Sequence, residues 1–229
     1  MRGSFHSGFL ARCKESGLRF NKYIGSSSGF YACLASLAEL DYKGFWSDPN
    51  SPLYMKNYKR DFFHDFVNFH MPKILRETPL DHGEFLSRIN KNLYALTNRL
   101  TLLGVKKELL FGYEDFEDVN RAQMASGAIP WLLRPFPYVY RGGLRIDGCF
   151  WNRKPASFLD TDIKLILEPS IEYAKPHQGS GVYYHRCTYG KRWKTMLSGT
   201  PEDYENIWDC GYIEGDKFLE QLKKDNKLK

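Results

Sequence analysis

The sequence predicts a layered α/β domain, and three observations carry that expectation. Short apolar stretches bounded by turn residues alternate with helical patterns of three- and four-residue spacing. A serine run flanked by glycines joins one such stretch directly to a helix. The 229 residues, 42% of them apolar and 26% charged, suffice for one domain with a sizeable core. This composition excludes collagen, coiled coil and disorder as the main architecture. No apolar run approaches the ~18 residues of a membrane span, and the first twenty residues lack an apolar stretch of signal-peptide type. The expected setting is cytoplasmic, with a peripheral contact at membranes.

Each element follows from its pattern. From Ser4 to Ser16, Phe5, Phe9, Leu10 and Cys13 recur at helical spacing, and Gly17 suits the left-handed helix end. Leu18 to Ile24 is too short for a second helix and reads as a buried strand ending at Gly25. After Gly25-Ser26-Ser27-Ser28-Gly29, the spacing of Phe30, Cys33, Leu34, Leu37 and Leu40 predicts a helix. Residues 41–84 carry Pro49, Pro52, Pro72 and Pro79 around a helical middle with Phe62, Phe63, Phe66 and Phe69, predicting a cap or insertion within a single domain spanning 1–229. A strand over 92–103, a turn at Gly104 and a strand over 108–113 follow. A helix is expected to Ser126, then a hairpin through Tyr138-Val139-Tyr140 and Leu144-Arg145-Ile146 into Asp147-Gly148, a strand at 163–167, and a closing helix over 204–224 interrupted near Gly211.

The charged and sulfur-bearing residues exclude several functions. Five scattered cysteines without a Cys-x-x-Cys pair, and six scattered histidines, predict reduced thiols, no metal and no cofactor. A net charge of +6 spread along the chain, with no nucleic-acid motif, argues against a nucleic-acid module. The basic groups at Lys56, Lys59 and Arg60, at Lys191-Arg192-Trp193-Lys194 and in the tail read as solvated surface, with phosphate headgroups as the rarer use. Aromatic residues reach 16%, which core packing largely explains.

The chemistry concentrates in the glycine-flanked turn. Gly-x-Ser-x-Gly between a strand and a helix places Ser27 on a turn too sharp for neighbouring side chains and aims a helix N-terminus at a reacting carbonyl. A serine nucleophile needs a base. His177 and His185 each sit in an expected Gly-, Tyr- and Lys-rich loop that does not recommend them, whereas Asp147 closes a short apolar segment where its carboxylate can emerge at a strand end. A plain Asp-Gly turn is the alternative reading of that position.

Four landmarks in order resemble the patatin-like phospholipases: residues 2–10 (Arg-Gly-Ser-Phe-His-Ser-Gly-Phe-Leu), the serine turn at 25–29, residues 121–130 (Arg-Ala-Gln-Met-Ala-Ser-Gly-Ala-Ile-Pro) and residues 143–148 (Gly-Leu-Arg-Ile-Asp-Gly). The resemblance covers 1–40 and 92–155, is loose over 156–222 and absent over 41–84. It implies a three-layer α/β/α fold and a lipid acyl hydrolase with a Ser27-Asp147 dyad, an acyl-enzyme intermediate and a lipid ester as substrate. It also implies oxyanion donors at the backbone of Ser28 and Gly3, with Arg2 supporting that loop. Two positions depart from the pattern: Cys149 follows Asp147-Gly148, and the glycines and strand expected before Arg2-Gly3 do not precede them. Either a longer natural chain, with ~10–15 further upstream residues forming a strand and glycine loop, or a marginally stable, inactive product is therefore expected. The rival expectation is a catalytically incomplete lipid-binding or regulatory protein of the same fold.

Overall fold

A computed structural model describes residues 3–40, 43–54, 62–130, 136–148, 160–168, 181–187, 189 and 199–228. It is a mixed α/β protein whose chain divides into two compact units, one of residues 1–19, 41–48 and 154–229, the other of 20–40 and 49–153. Among the described residues no helix is long and apolar enough to cross a membrane. The four described cysteines, Cys13, Cys33, Cys187 and Cys210, are free thiols, and Cys149 lies outside the described residues.

The first unit is built on two helices, α1 (Gly3–Glu15) and, numbered last in the chain, α7 (Pro201–Lys224), with the short α3 (Lys43–Trp46) beside them. Helix α7 runs for 24 residues without a break, against the interruption expected at Gly211. Its start is fixed by a capping box between Thr200 and Asp203 and by Pro201 in the first turn. Gly211 serves packing instead. A Cβ there would overlap the Phe5 carbonyl of α1, one at Gly8 would overlap the Trp208 carbonyl of α7, and one at Gly215 would meet Arg12 Cβ at 2.9 Å. Close backbone approach is what these glycines provide. Ser4 Oγ donates to the Tyr204 carbonyl at 2.6 Å, and Trp46 Nε1 donates to Ser7 Oγ at 2.9 Å. Strands β6 (Lys164–Glu168) and β7 (Val182–Arg186) pair in parallel as a separate sheet. The strand β7 falls where a loop was expected. Alternation places Tyr183 and His185 inward, against Phe218 and Phe9, with ring centroids 5.2 Å apart in each case.

The second unit holds β1 (Tyr23–Gly25), α2 (Ser28–Leu37), α4 (Phe62–Glu77), α5 (His82–Asn92), β2 (Leu93–Thr101), β3 (Gly104–Leu110), α6 (Phe116–Ser126), β4 (Tyr138–Tyr140) and β5 (Gly143–Asp147). The expected strand over 18–24 is shortened to three residues, because β1 pairs with β2 only over Tyr23↔Leu93 to Gly25↔Ala95. Helix α5 lies in a stretch given no element from the sequence. Asp81 caps it by accepting from the Glu84 amide, while Phe85 and Ile89, one turn apart, are buried. On α4, Phe63 and Phe66 are fully buried and Phe66 packs on Tyr31 of α2 at 5.2 Å, so these rings belong to the interior.

Strand β2 is shared by three others. β3 lies along one side through Ala95↔Leu110 to Thr101↔Gly104, antiparallel. The other side is taken first by β1, parallel, and then by β5, antiparallel through Thr97↔Asp147 to Leu100↔Leu144. β4 closes a hairpin with β5 through Arg141-Gly142, both at positive φ (45° and 67°), the two-residue turn that suits strand twist. Arg141 is held there by donating to the Phe111 and Gly112 carbonyls and to Asp118, each within 2.7 Å. A buried guanidinium ties four strands together, since Arg145 of β5 donates to the Tyr140 carbonyl, to Thr97 Oγ1 and to Glu108 Oε2 at 2.7 Å. Burial raises the Glu108 pKa, but the hydrogen bond and charge of Arg145 together with the charges of Arg99 and Lys106 outweigh it and leave the carboxyl below its ordinary value.

Two outcomes follow from the first unit. Gly211→Ala should lower stability to urea by about 1–3 kcal/mol, the usual cost of overpacking, whereas Gly44→Ala, which has open space around it, should leave stability unchanged or slightly raised. Equal effects would show that the helix pair is not packed at backbone contact. His6 is buried, and burial pushes its pKa from 6.5 down to about 4 against an opposing contribution from the Leu167 backbone. The unfolded chain therefore takes up a proton first as pH falls. Stability should be unaffected above about pH 6.5 and decline toward pH 4, by at most about 3 kcal/mol from this residue. Urea titrations of wild type and His6→Leu at pH 7 and pH 4.5 check it, the variant showing the shallower decline.

Candidate active site

The site is built where two strands deliver their carboxyl ends to neighbouring points of β2. Gly25, last in β1, lies opposite Ala95, and Asp147, last in β5, lies opposite Thr97. The chain leaves β1 through Ser26 and Ser27 and turns at once into α2, with the Gly29 amide donating to the Ser26 carbonyl (2.9 Å) and the Phe30 amide to the Ser27 carbonyl (3.1 Å). A Cβ at Gly25 would stand 2.5 Å from the Phe30 nitrogen, so only glycine allows so tight a return.

Ser27 sits at the apex with φ 54° and ψ −130°, a conformation costing about 1–3 kcal/mol for a residue with a side chain. It stands at the N-cap position of α2, yet its hydroxyl caps nothing. Ser28 opens the helix, so its amide is among the first-turn N–H groups that have no acceptor within the helix and lie at the positive end of its dipole.

Asp147 is buried, with an exposure of 2%. Its amide donates to the Ala128 carbonyl (2.9 Å), and Asn98 Nδ2 donates to its carbonyl (2.7 Å), fixing the backbone from both sides. Its carboxylate Oδ1 accepts from the Ser26 hydroxyl at 3.0 Å, which also lies 3.1 Å from the Ser126 carbonyl. The C-terminal end of α6 completes the support: the Ser27 amide donates to Ser126 Oγ (3.2 Å), which in turn donates to the Gln123 carbonyl (3.2 Å). Gly148 is needed where it stands, since a Cβ would lie 2.7 Å from the Leu96 carbonyl carbon and 2.8 Å from Ser26 Oγ.

The structure thus places the serine turn, residues 26–28, beside Asp147 within the second unit, and the contact it makes to the carboxylate is through Ser26. Gly3 is the buried first residue of α1 in the first unit, and Arg2 lies outside the described residues. Ser26, Asn98 and Ser126 were not singled out by the sequence. Ser26 shares the serine run with Ser27, so only the register distinguishes the two, while Asn98 is signalled by an amide in the middle of an apolar strand. Of the two histidines weighed as bases, His185 lies in the first unit with Nδ1 2.9 Å from Glu214 Oε2, and His177 lies outside the described residues. Burial raises the Glu214 pKa, and hydrogen bonds from Lys217 and His185 more than offset it. The Cys13 and Cys33 thiols are pushed up to about 12 by burial and are not nucleophiles.

No family model of known proteins matches the chain, and no curated protein matches it.

Gly148→Ala tests the closeness of the two strand ends. It should lower the unfolding temperature and loosen the serine turn, freeing the Ser27 and Gly29 amides from Ser126 and Ser26, which is followed by hydrogen exchange. Unchanged protection at the Ser27 and Gly29 amides would show that Gly148 does not pin the turn.

Proposed function

We propose that the chain is a serine acyl hydrolase acting on a lipid ester, in which Ser27 is the nucleophile and Asp147 the base. The observation that carries this reading is the backbone of Ser27: a strained residue between a strand and a helix N-terminus, within the same constellation as a buried carboxylate. Strain of this kind persists where the surrounding structure holds it, and here β1, α2 and α6 do so.

In this reading the Ser27 hydroxyl attacks the ester carbonyl carbon and gives its proton to Asp147. The tetrahedral oxyanion is stabilised by the Ser28 amide and the α2 dipole, and it collapses with return of that proton to the departing alcohol. Water then attacks the acyl-enzyme with Asp147 again as base, releasing the fatty acid and restoring Ser27. Ser26 has a place in this scheme as the group that holds the carboxylate when no substrate is bound. The serine-bearing sheet would be the middle of a three-layer patatin-like arrangement, and the protein would work in the cytoplasm, peripherally at membranes. A specific observation favours a second reading: Asp147 accepts from Ser26, which in a catalytically incomplete lipid-binding or regulatory protein would be a purely structural bond.

A fluorophosphonate probe with Ser26→Ala, Ser27→Ala and Asp147→Asn decides among these. The wild type and Ser26→Ala should label, while Ser27→Ala should not, and Ser27→Ala and Asp147→Asn should each lose ester hydrolysis by at least about 10³-fold with unfolding temperatures unchanged. Labelling lost in Ser26→Ala but kept in Ser27→Ala would move the nucleophile by one residue. A wild type that neither labels nor turns over would establish the regulatory reading.

A further inference from the structure

The hairpin of β2 and β3 ends in a two-residue turn, Leu102-Leu103, closed by the pair Thr101↔Gly104. Turns of this length ordinarily carry Asn, Asp or Gly, whose backbones suit them. Here both positions are leucine, and both side chains are fully exposed (106% and 100%). Nothing in the turn requires them.

The leucines continue an apolar row across the sheet. Val139, Leu144, Leu100 and Val105 are direct neighbours on successive strands and so share one face. Three of them are exposed, Val139 by 70%. The hairpin's charge is mostly of one sign: within residues 93–111 the sole acidic residue is Glu108, against Lys107 on the face of this row and Arg99 and Lys106 on the opposite face. Glu108 is itself engaged by Arg145, with Arg99 and Lys106 each 3.6 Å away.

We propose that this hairpin is a docking surface for an anionic lipid bilayer, Leu102 and Leu103 entering the acyl boundary while Arg99, Lys106 and Lys107 meet the headgroups. Aliphatic side chains at a projecting tip with a basic rim match interfacial lipid binding. A protein-binding surface would instead favour aromatic anchors and be poor in lysine. The direction also fits. β1 and β2 run parallel, so the hairpin projects past the serine turn along the direction in which β1 delivers it, with Leu102 about 20 Å beyond Ala95. The proposal adds a surface to the reading of the serine site without depending on it, since adhesion is measured without turnover.

Co-flotation of the full chain with phosphatidylcholine vesicles, with and without about 30% phosphatidylserine, tests it. The wild type should float with the anionic vesicles and be released by high salt. Leu102→Asp/Leu103→Asp should weaken adhesion by about tenfold or more, and Lys106→Glu/Lys107→Glu should reduce it to the level seen on neutral vesicles. Ser27→Ala should float as the wild type does, which separates this result from the fate of the serine chemistry. Unfolding temperatures should be unchanged in the leucine variant, and in Leu103→Trp the indole emission should shift to the blue on adding anionic vesicles. No flotation of the wild type, equal flotation of the leucine variant, or a wild-type dimer that the leucine variant converts to monomer without loss of flotation would each overturn the proposal.

Discussion

The serine site depends on the register of β2. A strand offers hydrogen bonds on two sides, and β2 gives one side to β3 and divides the other between β1 and β5. Because β1 is parallel and β5 antiparallel, their carboxyl ends face each other across two residues. A parallel β5 would have presented its amino end there, with Gly143 in place of Asp147. The dyad proposed above is therefore a property of strand direction before it is one of side chains, and a one-residue slip would turn the Asp147 side chain to the opposite face.

Much of this was legible from local pattern. The helix ending at Gly17, the order strand, turn and helix around Ser27, the helix over 116–126 and the hairpin into Asp147 are each specified by residues within a few positions of one another. What escaped depended on partners distant in sequence. Gly211 looks like a break unless Phe5 is known to lie against it, and β1 looks longer than it is because its length is set by how much of β2 is left over for it. β7 has the alternation of a strand, but its tyrosines and histidine are the residue types that also fill loops. Ser26 was hidden by being too close: three adjacent serines differ only in which way the backbone points them.

Arg145 and Glu108 show how the sheet holds its register. Both are largely withdrawn from water, and an ion pair so placed returns little net stability over an apolar pair of the same size, while breaking it costs about 3–5 kcal/mol. Its effect is selective. With Arg145 also bonded to Thr97 and to the Tyr140 carbonyl, a slip of either neighbouring strand would strand a buried charge, so the network penalises the alignments in which Asp147 would miss the serine turn.

The pairing of α1 with α7 sets an order of events during synthesis. The two helices that form the base of the first unit come from residues 3–15 and 201–224, so one emerges from the ribosome long before its partner. Throughout that interval the Phe5, Phe9 and Cys13 face of α1 has no α7 to cover it. The elements of the second unit, all encoded between residues 20 and 153, are complete well before then. The serine turn can thus be assembled on a nascent chain whose first helix is still waiting, and α1 is the segment most exposed to chaperones or to misassociation in the meantime.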